Sequence, residues 1–328
     1  MPQKIDEITE RINQANGFVP SLFHELEQII VGQKYLTERL VLGLLTGEHI
    51  LLEGVPGLAK TTAVKTLAQS VKADFKRIQF TPDLLPADLL GTQIYQPKTG
   101  EFSIKKGPLF ANIILADEIN RAPAKVQASL LEAMQERQVT LGEETTPLPA
   151  PFMVLATQNP LDQEGTYPLP EAELDRFLFK VLIDYPDHAD ETRLVNMVLD
   201  GTIRASLDVE SLTPVTDAAG LKAMKTLSDS VLIDDEVLDY ALRIVRATRD
   251  FSGLSHGASP RASIALARAS RVQALFEGRD FVTPDDVQQV ARPVLRHRIQ
   301  LSADAEIEGQ TPETALGRLL EQVEAPKQ

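Results

Sequence analysis

The sequence predicts an α/β protein in which a domain built on a parallel sheet precedes a smaller all-α domain. Three observations carry that prediction. First, the short apolar run His49–Glu53 leads into Gly54-Val55-Pro56-Gly57-Leu58-Ala59-Lys60-Thr61. A helical period follows, with Val64, Leu67, Ala68 and Val71 on one face. Second, Ile113-Ile114-Leu115-Ala116 ends in Asp117 and Glu118, the pattern of a buried parallel strand whose C-terminal end opens into a ligand cleft. Third, the β pattern stops at Tyr185-Pro186-Asp187 and helical periods take over.

Composition bounds the rest. At 328 residues the chain is long enough for about two domains, which places a core domain over 1–185 and a helical domain over 186–328. Lys plus Arg is 33 against 47 Asp plus Glu, a net charge of −14 that disfavours a general nucleic-acid or anionic-membrane surface. Cysteine is absent, which excludes disulfides, thiolate metal sites and cysteine nucleophiles. The five histidines are scattered, so no metal site of their own is expected. The polar start Met1-Pro2-Gln3-Lys4 and the lack of a long apolar span predict a cytoplasmic protein without membrane insertion.

In chain order, residues 1–19 read as a short polar helix and linker. Pro20 and Ser21 open a helix with Leu22, Phe23, Leu26, Ile29 and Ile30 inward, and Leu36, Leu40, Val41, Leu44 and Leu45 restart the period. The break at Val31 and Gly32 has two readings, a backbone approach to an adenine ring or a plain helix-to-helix turn. Lys76–Phe80 is a second strand. Thr81–Gly91 reads as short proline-opened turns, and Gln93–Ile104 as a hairpin tipped by Pro97–Gly100. The whole insert, Thr81–Gly107, is either a contact surface for a substrate or partner, with Lys98, Lys105 and Lys106 at its basic end, or a decoration packed on the core. Ala124–Glu136 is an amphipathic helix, Gln138–Leu148 a second hairpin, Phe152–Thr157 a buried strand and Phe177–Ile183 a last one. Helices then follow over Glu191–Leu199, Ala218–Ser228, Asp235–Arg249, Pro260–Phe276, Pro284–Leu295 and Pro312–Val323. Thr283-Pro284 and Thr311-Pro312 supply caps and first-turn prolines.

The chemistry concentrates at the strand ends. Gly54, Val55, Pro56, Gly57, Leu58 and Ala59 would wrap a polyphosphate, all but Pro56 offering a backbone N–H, and the helix that begins near Thr62 adds its positive end. Lys60 would reach the β- and γ-phosphates and Thr61 would hold Mg²⁺. Ala59 replaces a customary glycine. An alanine at a helix start carries no backbone cost, so the open question there is whether its methyl fits. Asp117 can hold Mg²⁺ through water, and Glu118 can polarise the water that attacks the γ-phosphate. Asn120 and Arg121 either gate Glu118 or are solvated turn residues. Asn159 either orients that water or belongs to an Asn-Pro turn. Arg176 is a solvated surface arginine or points into a neighbouring subunit's nucleotide. Arg261 opposes its own helix dipole in a first turn, which suggests an anionic partner.

Taken together, G-V-P-G-L-A-K-T, I-L-A-D-E-I-N-R-A, L-L-E-A-M-Q-E-R-Q-V-T, L-A-T-Q-N-P, E-L-D-R-F and S-P-R-A resemble the MoxR family of AAA+ ATPases, from about Ile30 to near Leu295. The resemblance implies a P-loop AAA+ αβα sandwich with a five-stranded parallel sheet core and a smaller all-α lid domain. It assigns Lys60 and Thr61 to Walker A and Asp117 and Glu118 to Walker B. Asn159 corresponds to sensor 1, Arg176 to the trans-acting arginine finger and Arg261 to sensor 2. It further implies ATP and Mg²⁺, a ring usually of six subunits, and a helix-2 insert within Thr81–Gly107. A pre-sensor hairpin lies within Gln138–Leu148. The expected function is chaperone-like remodelling of a protein client, often with a partner carrying a von Willebrand factor A domain. A nucleic-acid motor and a non-hydrolysing nucleotide switch are the alternatives. The net charge argues against the first, and the full set of catalytic residue types against the second.

Overall fold

The computed structural model describes residues 17–55, 57–98, 100–160, 165–200 and 212–326. The polar helix expected within residues 1–19 therefore lies almost wholly outside the described residues, and so does Pro56. The chain divides into two compact units. One is Ser21–Arg176 with Val181–Lys222; the other gathers Phe177–Lys180 with residues 223 onward.

The first unit begins within α1 (Phe18–Glu27), from Ser21 on, and continues with α2 (Lys34–Thr46). Helix α1 starts at Phe18, ahead of the expected Pro20, because proline fits a first turn as readily as a starting position. Then come β1 (Ile50–Glu53), α3 (Lys60–Ser70), β2 (Phe75–Gln79), α4 (Pro86–Leu90) and the hairpin of β3 (Gly91–Gln96) and β4 (Glu101–Lys106). After them follow β5 (Ile113–Asp117), α5 (Ala124–Glu136), the hairpin of β6 (Gln138–Leu141) and β7 (Glu144–Pro147), β8 (Met153–Gln158), α6 (Glu171–Leu174), β9 (Phe179–Leu182), of which only Val181 and Leu182 fall within this unit, and α7 (His188–Leu199). Helix α4 lies inside the segment expected to hold only turns. Pro86 opens it, and Asp88 accepts from the Leu85 N–H, so five residues suffice.

Five strands form one sheet in the order β2-β5-β8-β1-β9, and the β2/β5, β5/β8 and β1/β8 pairs are parallel. Strands β1, β5 and β8 are buried along almost their whole length, which explains their unbroken apolar runs. Edge strand β2 leaves Lys76, Arg77 and Gln79 exposed. Parallel pairing sets the C-terminal ends of β2, β5, β8 and β1 on one side, where loops meet ligands in such sheets.

One buried polar residue ties this sheet to its helices. His49, only 3% exposed, accepts the Val154 N–H at Nδ1 over 2.9 Å and donates from Nε2 to the Met134 carbonyl over 3.2 Å. That pairing fixes the neutral tautomer. Burial foremost, then the charge of Arg137, holds its pKa down at about 3.

The second unit contains α8 (Ala218–Ser230), whose last eight residues fall within it, then α9 (Asp235–Asp250), β10 (Leu254–His256), α10 (Pro260–Phe276), α11 (Pro284–Leu295), β11 (Gln300–Leu301), α12 (Ala303–Ile307) and α13 (Pro312–Gln322). The ribbon of β10 and β11 adds a feature to a unit expected to be all-α. Strands of two and three residues are too short to impose a period on the sequence. The predicted cap forms at Thr283, whose N–H and hydroxyl both donate to the Asp286 carboxylate, with Arg279 Nη2 2.6 Å from that fully buried group. Three consecutive side chains at the end of α11 hold the Phe177–Lys180 segment. His297 Nε2 and Arg298 Nη2 donate to the Phe177 carbonyl over 2.9 and 2.6 Å, and Arg296 Nη1 donates to Lys180 O over 3.1 Å. Burial foremost and the neighbouring Arg298 charge push the His297 pKa well below its usual range.

Candidate functional site

Strand β1 delivers the chain to the phosphate loop and α3 takes it away at Lys60. Gly57 turns the loop at φ +90°, open only to glycine without strain, and no atom stands within 4 Å of where its Cβ would be. Gly54 is there for another reason: a Cβ would meet the Ile183 carbonyl oxygen at 2.7 Å. Ala59, the N-cap of α3, sits at φ 54°, ψ 20°. The expectation that alanine carries no backbone cost there is overturned. The position is left-handed, where a Cβ crowds its own backbone by about 1–2 kcal/mol.

The loop lines a cavity of about 360 Å³ whose walls are Gly57, Leu58, Ala59, Lys60, Thr61, Arg77, Asp117, Glu118, Thr157 and Asn159. Eight candidates from separate stretches of chain thus meet in one place. Gly54, Val55 and Thr62 belong to the same loop and helix without lining the cavity, although the Gly54 carbonyl accepts a hydrogen bond from Lys60 Nζ. Val31 and Gly32 also stay out of the walls. Gly32 turns at φ +71° between α1 and α2, and a Cβ on it would come within 2.6 Å of Asp190.

The electrostatics of the cavity are tightly matched. Asp117 accepts Thr157 Oγ1 at 2.6 Å on one oxygen and the Arg77 guanidinium on the other, with Nε at 3.0 Å and Nη2 at 2.5 Å. Thr157 in turn accepts the Glu118 N–H over 2.8 Å. Glu118 stands at φ 56°, ψ 51°, a strained conformation for a side chain of its size. Its Oε2 accepts Gln79 Nε2 over 2.7 Å and lies 3.1 Å from Arg121 Nε, an ion pair without hydrogen-bond alignment. Half-burial lowers the Lys60 pKa, and the charges of Asp117 and Glu118 oppose that shift.

Arg77, Gln79 and Thr157 did not stand out in the sequence. The signal existed: Arg77 and Gln79 are two apart on a strand and so share a face, and Thr157 interrupts an apolar run at its end. What was missing was knowledge that β2 borders β5, with Gln79 opposite Asp117.

Thr61 and Asp117 offer one hydroxyl and one carboxylate to a single cavity. That donor set fits Mg²⁺, which keeps several waters and relies on substrate phosphates, rather than a metal caged by protein alone. Among the described residues no group of three or more histidines and carboxylates could hold a metal.

The remaining candidates lie elsewhere. Asn120 is buried, its carbonyl accepting the Tyr167 N–H over 2.6 Å, so it is not a solvated turn residue. Arg176 does not reach the phosphate-loop cavity. It is half-buried in another of about 300 Å³ with Ala128, Glu132, Gln135, Glu136 and Glu173, and among the described residues its Nε has no hydrogen-bond partner. Arg261 is exposed in the first turn of α10, in the other unit, where its N–H bonds the capping Ser259 hydroxyl over 3.2 Å.

Comparison with known proteins agrees with this geometry. Residues 49–179 match the family described as ATPase family associated with various cellular activities (AAA), and residues 246–319 match the AAA lid domain. The chain is 46% identical to Chaperone MoxR1 of Mycobacterium tuberculosis over 92% of its own length and 81% of that protein. It is 44% identical to the uncharacterized protein YeaC of Bacillus subtilis, covering 92% and 93% of the two chains. Protein MoxR of Methylorubrum extorquens is 30% identical over 84% of this chain and 86% of its own. The crystal structure of a putative ATPase from Cytophaga hutchinsonii superposes with a TM-score of 0.89 at 43% identity, covering 99% of both chains.

Proposed function

The chain belongs to the MoxR family of AAA+ ATPases, and from that premise we propose that it hydrolyses ATP to remodel protein clients in a chaperone-like way. The observation that carries this reading is the meeting of Lys60, Thr61, Asp117, Glu118 and Asn159 on one cavity at a helix N-terminus. In it, the backbone N–H groups of Gly57–Lys60 cradle the phosphates and Lys60 leaves the Gly54 carbonyl to neutralise them. Thr61 and Asp117 would hold Mg²⁺, which when bound screens charge on the phosphate oxygens. Glu118 accepts the proton of the attacking water once Gln79 and Arg121 release it, and Asn159 orients that water. Val31 and Gly32 border the adenine.

Arg176 completes the site of the next subunit in a ring, six subunits being the proposed number, and Arg261 acts from the lid. The core spans 1–185 and the lid 186–328 in this scheme. Strands β3 and β4 supply the client-facing surface, since Ile94, Tyr95 and Phe102 are exposed and the two aromatic rings lie 5.3 Å apart, tilted by 55°. Magnesium dependence, a cytoplasmic setting and a partner with a von Willebrand factor A domain complete the proposal. Among the described residues no helix is long and apolar enough to cross a membrane.

The deciding experiment is phosphate release from purified protein with and without Glu118→Gln. The variant is expected to bind ATP and lose turnover. Binding without any release in the unaltered protein would leave a nucleotide switch instead.

A further inference from the structure

Arg77 is the cavity wall that the hydrolytic scheme leaves without a task. It rises from edge strand β2, whose outer side has no strand neighbour, and its side chain is 49% exposed against 15% for Asp117. Both carboxylate oxygens of Asp117 are engaged, Oδ1 by the Thr157 hydroxyl and Oδ2 by the Arg77 fork. Thr157 is buried in β8 and also holds the Glu118 N–H, so it cannot leave without disturbing the strand end. Arg77 is the movable one of the two. A divalent cation and a guanidinium cannot share one carboxylate oxygen without bringing like charges into contact.

We propose that Arg77 is an exchangeable counter-ion of the nucleotide site. It satisfies Asp117 until a divalent cation claims that carboxylate, and then turns its released guanidinium into the cavity to meet the charge that builds on the phosphate oxygens during transfer. The geometry gives the exchange a second consequence. Arg77 Nη2 also donates to Gln79 Oε1 over 3.0 Å, and Gln79 Nε2 holds Glu118. Departure of Arg77 therefore removes a restraint on the amide that restrains Glu118, so metal arrival at Asp117 loosens the general base. This rests on the reading of Asp117 as the metal-side carboxylate, here as a direct ligand and not through water.

The test measures metal affinity directly. Mn²⁺ is titrated into the full-length protein with a non-hydrolysable ATP analogue, and the signal of free Mn²⁺ is followed by electron paramagnetic resonance. Without its competitor, Arg77→Met should bind Mn²⁺ about 3–10-fold more tightly, the range for a partly exposed forked ion pair. Its turnover with ATP should fall about 10-fold at saturating Mg²⁺ with KM for ATP little changed, as a lost transition-state cation requires. Arg77→Lys keeps the charge without the fork and should fall between the two, which also serves if Arg77→Met melts early. Unchanged or weaker Mn²⁺ binding in the folded variants would overturn the exchange. Asp117→Asn separates the premises: it should lose most Mn²⁺ affinity. If it binds Mn²⁺ as the unaltered protein does, Asp117 is no ligand, and the site reading falls together with the exchange.

Discussion

The cavity at the phosphate loop and the cavity beside Arg176 are similar in size and opposite in how their charges are matched. In the first, each charged group answers to another: Lys60 to the Gly54 carbonyl, Asp117 to Arg77, Glu118 to Gln79 and Arg121. In the second, Arg176 has three glutamates around its cavity, yet its buried Nε finds no hydrogen-bond partner among the described residues. A buried donor left unmade costs about 1–3 kcal/mol. The contrast separates a site whose charges are matched within one chain from an arginine with a buried donor left unmade among the described residues. Two buried histidines differ in the same way. His49, one residue before β1, uses both ring nitrogens, whereas His297, on the Phe177 carbonyl next to Arg176, leaves Nδ1 without a partner among the described residues.

The hardest blow to this contrast comes from Arg176→Ala. Turnover should fall about 10³-fold, as when a transition-state arginine is removed, with nucleotide binding kept. Mixing it with Glu118→Gln should restore part of the phosphate release, because each variant supplies what the other lacks. Full activity in Arg176→Ala alone would erase the distinction between the two cavities. Next in size, Glu118→Gln should lower turnover about 10²-fold or more, read by phosphate release, while a fluorescent nucleotide still binds.

The histidines sharpen the comparison through pH. The folded-state pKa of His49 is about 3 against an ordinary 6.5, and that of His297 is lowered too. The unfolded chain therefore takes up protons that the folded one refuses as pH drops below 6.5. Stability present above that pH is lost on acidification, by up to about 1.4 kcal/mol per pH unit for each histidine. Urea melts at two pH values should show it, and His49→Asn should reduce the slope by His49's share. Smallest, Ala59→Gly should raise stability by up to about 1 kcal/mol, because glycine relieves the left-handed strain and gives part of the gain back in unfolded-state entropy. A lowered melting temperature would show that the strain at Ala59 is not real.

Much of the architecture was legible along the chain. Helix α5 runs over Ala124–Glu136 as its apolar spacing predicts, and both hairpins form around the expected turns. Boundaries slipped by one to three residues where two locally permitted starts compete, as at Phe18 against Pro20. Helix α4 and the β10–β11 ribbon escaped because segments this short leave no period to detect. At the site, Lys60, Thr61, Asp117, Glu118 and Asn159 were legible because each stands at the end of a recognisable strand or the start of a helix.

What the sequence determined by itself is therefore the set of local shapes and the groups at their ends, since periodicity and glycine placement act within one segment. Only the tertiary structure decided the company those groups keep. Arg77 and Thr157 reach Asp117 across 40 positions of sequence, and Ala59 and Glu118 take left-handed conformations that their residue types disfavour. The reason is physical: strand order in a parallel sheet is fixed by how buried faces pack, and it is that order, not the neighbouring residues, that sets one side chain against another.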